Sequence, residues 1–400
     1  MRKSAAAILL ALFLTSAHGV AEEYSAGKDF LLKDGLPFLV RGVVYVPAYP
    51  GFLPWELAPQ KKIPEKLQAR IFQDLRDIKS MGANTVRFWD APRFAYQALK
   101  EVGGLALIQT VWLDAAQPDF QDEAFKKKSK DAIAAVLDRI YSVYSREAPP
   151  PLLALLVGSE LSAGSIEKTD RLHPEINHYE GEQVSAPKGA TATECFLAEM
   201  ADFAKAYELA HYGRMSLVSY ANEIRTHRII DTPFLDFRCF NAYSYAILDY
   251  ETPEAGSKTG TIFQGWLESL KKEYPEKPLL VTETGLSVAP QAVHVGAPDY
   301  GYGGNTPAEQ AVGLLQNWND ITSATPSLAG AVFHEYLDAW WKFGRKDSLE
   351  HEPGDVEEWF GLVAIEKSGN FFETHFRDSY KRLKALWNQK SQANFSPSSS

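Results

Sequence analysis

The sequence predicts a single α/β domain, a (β/α)8 TIM barrel of eight parallel strands with long loops at its C-terminal face. Three observations predict it. Eight short apolar runs alternate with segments of helical periodicity, the order that builds a parallel sheet covered by helices. No hairpin signal joins one run to the next, so each connection crosses over instead of turning back. Two of the runs, Leu155-Leu156-Val157-Gly158-Ser159-Glu160 and Leu279-Leu280-Val281-Thr282-Glu283, end in a carboxylate with near-identical grammar. An open doubly wound sheet shares the alternation, but a nucleotide-binding one needs a glycine-rich turn after its first strand, and no GxGxxG or GxxxxGK run occurs.

Taken in order, the chain begins with Met1-Arg2-Lys3, an apolar stretch from Ala5 to Leu14, and small residues from Ser16 to Ala21. These are the three parts of a secretory signal peptide, too short to span a bilayer, so residues 1–21 are expected to be a signal and the protein to be exported to a periplasmic or extracellular space. The barrel domain is expected over 22–387. After a hairpin-like turn at Lys33-Asp34-Gly35, Phe38–Val46 reads as the first strand, and a loop rich in Pro and aromatic residues leads to a helix with Leu67, Ile71, Leu75 and Ile78 at helical spacing, ended by Gly82. The unit repeats with strands at Asn84–Trp89, Leu105–Trp112, Leu152–Glu160, Met215–Tyr220, Phe234–Tyr243, Leu279–Thr284 and Ala329–Glu335. Helices are expected near Phe94–Val102, through Ile133 to Tyr144, and at Glu194–His211, Thr261–Tyr274 and Phe372–Trp387. The clearest helix start is Thr306-Pro307-Ala308-Glu309, a capping box with proline in its first turn. Asn388–Ser400 is polar and Ser-rich, and a disordered tail is expected there.

Composition narrows the function. Of 400 residues, 45% are hydrophobic and 12% aromatic, enough for a full core and a surplus of rings. A net charge of -10 argues against nucleic acid and an anionic membrane as partners and suits a neutral substrate better. Past the signal no stretch reaches membrane-spanning length. Cys195 and Cys239 fall on a predicted helix and a predicted strand, and are expected to be buried thiols. No cofactor is implied, and a monomer is expected.

In a parallel barrel, reactive side chains stand at the C-terminal ends of strands. That rule selects Arg87, Glu160, Asn241 with Tyr243, Glu283, and His334-Glu335 with Trp340 and Trp341 beyond. A carboxylate ending a buried apolar strand is costly unless something uses its charge, which marks Glu283; a helix cap or loop ion pair is the structural alternative. Two glutamates at one barrel mouth are what glycosidic cleavage requires, one to attack the anomeric carbon and one to protonate the leaving oxygen.

At these positions the chain resembles the clan of retaining glycoside hydrolases on (β/α)8 barrels. The resemblance implies Glu160 as acid/base after strand four, Glu283 as nucleophile after strand seven, and Arg87 and Tyr243 as supporting residues from strands two and six. Phe333-His334-Glu335-Tyr336-Leu337-Asp338-Ala339-Trp340-Trp341-Lys342 is similar to the Glu-x-x-Asp-x-x-Trp-Lys segment of family 17, and Pro37–Val43 to the start of family 2 and family 5 barrels. Where the clan carries Asn before its acid/base Glu, this chain has Ser159, which lacks the amide's reach and double function. The implied activity is double-displacement hydrolysis of a β-glucan-like poly- or oligosaccharide. Transglycosylation on the same site and a non-catalytic glycan-binding barrel are the alternatives.

Arg87 is expected to hold Glu283 ionised, with a structural ion pair as the other reading. Tyr243 would donate to the nucleophile or serve as a rim aromatic. Glu335 would bind sugar hydroxyls or pair with a basic neighbour. No His follows His334-Glu335 at metal-binding spacing, so no metal is expected. His173 and His178 are expected on the solvated surface. Tyr49, Phe52, Trp55, Trp89, Trp112, Tyr245, Tyr300, Tyr302, Trp340 and Trp341 fall at or after strand ends, and about half are expected to touch a glycan; Asn241, Trp89, Trp112, Tyr245, Glu335, Trp340 and Trp341 are the candidate substrate contacts.

Overall fold

The computed structural model describes residues 22–223, 230–246, 259–342, 351–369 and 371–393. The expected signal peptide at 1–21 and the last seven residues, 394–400, lie outside them. Three short antiparallel strands come first, β1 (Tyr24–Ala26), β2 (Leu31–Lys33) and β3 (Leu36–Phe38), with the expected turn at Asp34-Gly35 between the last two.

Eight parallel strands then close a barrel: β4 (Val40–Tyr45), β5 (Thr85–Phe88), β6 (Ala106–Val111), β7 (Leu152–Ser159), β8 (Leu217–Glu223), β9 (Arg238–Asn241), β10 (Leu279–Thr284) and β11 (Gly330–Phe333). Each predicted apolar run supplies one strand. All eight residues of β7 and all six of β10 are buried, as expected for strands that meet hydrocarbon on both faces. Their side chains alternate between two cores. Val43, Val86, Leu107, Leu155 and Val281 pack outward under the helices, while Val44, Ile108, Leu156, Cys239, Leu280 and Val332 belong to a second cluster that fills the barrel and is joined by Leu31 of β2.

The helices are α1 (Pro54–Leu57), α2 (Glu65–Ser80), α3 (Arg93–Val102), α4 (Glu123–Tyr141), α5 (Ala163–Leu172), α6 (Ala192–Tyr212), α7 (Ile262–Glu273), α8 (Pro307–Ser323) and α9 (Asp378–Ala393). The capping box of α8 forms as read from sequence, with Thr306 and Glu309 satisfying each other's backbone N–H groups, and Thr191 and Glu194 do the same for α6. Cys195 and Cys239 are buried free thiols. Among the described residues no helix is long and apolar enough to cross a membrane.

Two expectations change. The helix expected over Phe372–Trp387 starts only at Asp378, because Phe371–Phe376 is a strand, β13, paired antiparallel with β12 (Val363–Ser368). Its aromatic and β-branched residues suit a pleated ladder better than a helix. The same helix runs on to Ala393, so 388–393, expected as part of a tail, are helical, and Asn388 donates to the Ser80 carbonyl; the rest of the expected tail lies outside the described residues. The segment after β7 carries α5 at the C-terminal face of the barrel.

Candidate active site

Each reactive side chain is placed by the end of a barrel strand. Gly158 adopts φ +87° and Glu160 φ +52°, so the chain leaves β7 through left-handed backbone that a side-chain-bearing residue occupies only where its surroundings hold it. Glu160 N–H donates to the Ala221 carbonyl at 3.0 Å, and Leu161 N–H to the Tyr220 hydroxyl at 2.8 Å, which fixes that turn. At the end of β10, Gly285 approaches the His334 carbonyl so closely that a Cβ there would lie 2.1 Å from the oxygen. This brings His334 against Glu283.

Glu283 receives two donors. Arg87 Nη1 lies 2.8 Å from Oε1 and the Tyr243 hydroxyl 2.7 Å from Oε2. Arg87 is fully buried, held also by Thr110 Oγ1 at 2.9 Å and the Thr282 carbonyl at 3.0 Å, so its fork is oriented before any ligand arrives. Burial, reinforced by the charge of Glu283, pushes the Tyr243 phenol well above its ordinary value, which keeps it a donor. Both supporting residues inferred from sequence therefore reach the nucleophile candidate.

Glu160 is held differently. Asn241 Nδ2 donates to its Oε1 at 2.8 Å and to Ser159 Oγ at 3.3 Å, while Asn241 Oδ1 accepts from Thr282 at 2.9 Å and Arg87 at 3.4 Å. Ser159 thus takes part through its hydroxyl while lining the cavity. One carboxylate faces a guanidinium and a phenol, the other a neutral amide. The two carboxylates therefore meet different donors within one site.

The two glutamates share a cavity of about 110 Å³, lined also by Trp89, Trp112, Tyr245, His334, Lys342 and Glu357. Beside it lies an apolar cleft of about 290 Å³ bounded by Trp55, Trp89, Trp112 and Trp341, so the two spaces share the walls of Trp89 and Trp112. Trp55 and Trp112, 52% and 41% exposed, are the exposed tryptophans among the described residues, and both line this cleft. Exposed indoles gathered at one place mark a surface that waits for a ligand.

Several sequence-based assignments move. Asn241 is fully buried and reaches Glu160, not the open cavity. Trp340, 2% exposed, belongs to the outer core. Glu335 is 1% exposed and lies behind His334 and Lys342, with Oε1 3.5 Å from His334 Nε2 and 3.8 Å from Lys342 Nζ. Burial pushes its carboxyl up to about 8 against the pull of Lys342. Tyr49 is buried too, its hydroxyl donating to Asp74 in a cluster with Tyr45 and Tyr336. His178 is exposed as expected, but His173 is half-buried, 3.0 Å from the Asp119 carboxylate.

Glu357 was not singled out from sequence, since it follows no apolar run and sits in a 3-10 turn, Val356–Trp359. It lies 2.8 Å from Lys342 Nζ and accepts from the Tyr302 hydroxyl. Burial opposes the charge on Lys342, but the acidic groups around it prevail and its value is raised. Glu335 and then Glu357 are the groups that raise it. Among the described residues no group of three or more His, Cys, Asp or Glu side chains is arranged to hold a metal ion.

The fold and the strand-end placement define the molecule as a (β/α)8 barrel with two carboxylates in one cavity. In structure it is similar to a GH2 β-galacturonidase from Eisenbergiella tayi bound to galacturonate, with TM-score 0.59, 14% identity, and coverage of 92% of this chain and 54% of that one. It is similar to a β-glucuronidase of Ruminococcus gnavus at TM-score 0.59 and 14% identity over 92% of this chain and 53% of that one. The R. gnavus enzyme in complex with D-glucuronic acid gives TM-score 0.58 at 14% identity, over 92% of this chain and 52% of that one. The chain spans about half the length of these proteins, and at this identity the likeness is one of fold. No family model matches the sequence, and no curated protein does.

Proposed function

We propose that the protein is a retaining β-glycoside hydrolase with Glu283 as nucleophile and Glu160 as acid/base. The observation that carries this reading is the pairing of Arg87 and Tyr243 on Glu283, with Asn241 donating to Glu160, within one cavity. In the first step a Glu283 oxygen attacks the anomeric carbon, the bond from that carbon to the leaving oxygen breaks, and Glu160 delivers its proton to that oxygen. In the second, Glu160 takes a proton from water, the water oxygen bonds to the anomeric carbon, and the ester to Glu283 breaks. Arg87 and Tyr243 orient the nucleophile and accept its charge again as the ester departs. Transfer to a sugar in place of water would use the same two steps.

The substrate is proposed to be a neutral β-glucan-like oligo- or polysaccharide. The solved relatives carry uronidase names, which raises the question of a uronate here. Among the described residues lining the cavity Lys342 is the cation, and it is already paired with Glu357. A sugar carboxylate would enter beside Glu160, Glu283 and Glu357, which favours an uncharged ring. The indole-walled cleft would take a neighbouring sugar through its apolar face. Export through the N-terminal signal would place the protein where such polymers occur.

The test is a panel of aryl β-glycosides, including glucosides and glucuronides, with β-linked glucan oligosaccharides. Cleavage of neutral members, lost in Glu283→Gln and in Glu160→Gln for substrates with poor leaving groups, is the expected result. Full activity in both variants would overturn the assignment. NMR of the first-formed product reads the anomeric outcome, and product sizes separate hydrolysis from transfer.

A further inference from the structure

His334 stands against the nucleophile candidate with a role that neither Arg87 nor Tyr243 fills. Its Nδ1 lies 3.6 Å from Glu283 Oε2, and its Nε2 lies 3.2 Å from Lys342 Nζ. The ring is 2% exposed, stacked on Trp89 with centroids 5.3 Å apart and met edge-on by Phe360 at 5.0 Å. It cannot turn freely between these rings. Nδ1 has no hydrogen-bond partner although it is buried.

We infer that Lys342 fixes the proton of His334 on Nδ1 and so makes His334 a positioning residue, a third donor aimed at Glu283. An ammonium has three donors and no acceptor, so contact with Lys342 requires a lone pair on Nε2. In a neutral imidazole the other nitrogen then carries the hydrogen. Burial, with Lys342 and Arg87 nearby, lowers the His334 value well below the ordinary one and keeps the ring neutral. The opposite tautomer would set a lone pair against the Glu283 oxygen and an N–H against an ammonium.

The charged and titratable groups around the ring agree with this. Glu283 faces Nδ1; Lys342 and Glu335 face Nε2; Arg87 and Tyr243 approach from β5 and from beyond β9; and Glu357 meets Lys342. At 3.6 Å the donor is poised but not bonded, as catalytic hydrogen bonds often are before substrate closes the site. The inference about the proton needs only the geometry. Its consequence for rate rests on the glycosidase reading.

Long-range 1H–15N correlation on the full chain labelled at histidine nitrogen tests it without any substrate. At pH 7 His334, assigned by the signal lost in His334→Phe, is expected to show a protonated Nδ1 and an unprotonated Nε2. In Lys342→Met the ring is expected to shift toward the other tautomer or a mixture. A native His334 protonated on Nε2, or on both nitrogens, would overturn the inference, as would a Lys342→Met spectrum unchanged from native. If His334→Phe fails to fold, His334→Asn assigns the signal in its place. Where the native chain cleaves a glycoside, His334→Phe is expected to lower kcat about 10- to 100-fold with little change in KM, and His334→Asn, which keeps an N–H donor, to recover part of it. A chain inactive on every glycoside would remove the glycosidase reading while the tautomer measurement still stood.

Discussion

Asn241 Nδ2 donates to Glu160 Oε1 at 2.8 Å from a fully buried position at the end of β9. The amide is held at its other end by Thr282 and Arg87, the latter also bonded to Glu283, so one connected set of hydrogen bonds orients both carboxylates. Removing Asn241 should therefore harm proton delivery more than nucleophilic attack. For Asn241→Ala we expect kcat/KM on glycosides with poor leaving groups to fall about 10²- to 10³-fold, and that on dinitrophenyl glycosides to change little. Equal losses on both, measured across a leaving-group series, would place Asn241 elsewhere in the mechanism.

Arg87 carries structure and chemistry together. Arg87→Met leaves Glu283 buried with one donor fewer and should cost about 3–5 kcal/mol of stability, read by urea unfolding, as well as nearly all activity. Arg87→Lys keeps the charge but not the fork that reaches Thr110, Thr282 and Glu283 at once. It should recover much of the stability and little of the rate. Restoration of both by lysine would reduce the role of Arg87 to charge alone.

Trp112, exposed and lining the apolar cleft, allows sugar binding to be tested apart from bond cleavage. Trp112→Ala should raise KM for oligosaccharides about tenfold, ~1.4 kcal/mol, while kcat stays within a factor of about two. Steady-state kinetics on oligosaccharides of increasing length measure this. No dependence of the effect on chain length would remove the cleft from the binding site.

Glu335 makes stability depend on pH. Its folded-state value of about 8 lies above the ordinary 4.5, so the folded protein holds this proton more tightly than the unfolded chain. Its contribution is full below about 4.5 and is lost as pH rises toward 8, a loss of a few kcal/mol. The Tm of Glu335→Gln minus that of the native protein should therefore increase between pH 5 and 8 and level off above. A difference independent of pH would show that Glu335 is ionised in the fold.

The barrel was legible because strands buried on both faces have to be apolar throughout, and Leu152–Val157 and Leu279–Val281 are unbroken runs of this kind. Glu160 and Glu283 were legible as candidates for a related reason: each stands just beyond or at the end of such a run, whereas Arg87 lies within β5 and Tyr243 beyond β9. Glu357 escaped because it arrives on a 3-10 turn with no periodicity to point to it. Asn241, Glu335 and Trp340 were assigned to substrate because position along a strand gives the end a residue occupies but not the depth of its side chain. Phe371–Phe376 became a strand through a pairing with Val363–Ser368 that local pattern does not reveal.

Glu283 is proposed to form a covalent bond to the sugar. In 2-deoxy-2-fluoro glycosides with an activated leaving group, the fluorine slows both steps and the leaving group restores the first, so the glycosyl-enzyme should accumulate and intact mass rise by one fluorosugar. Peptide mapping should place that sugar on Glu283, with no label in Glu283→Gln. Label on another residue, or turnover of the native substrate that persists in Glu283→Gln, would contradict it.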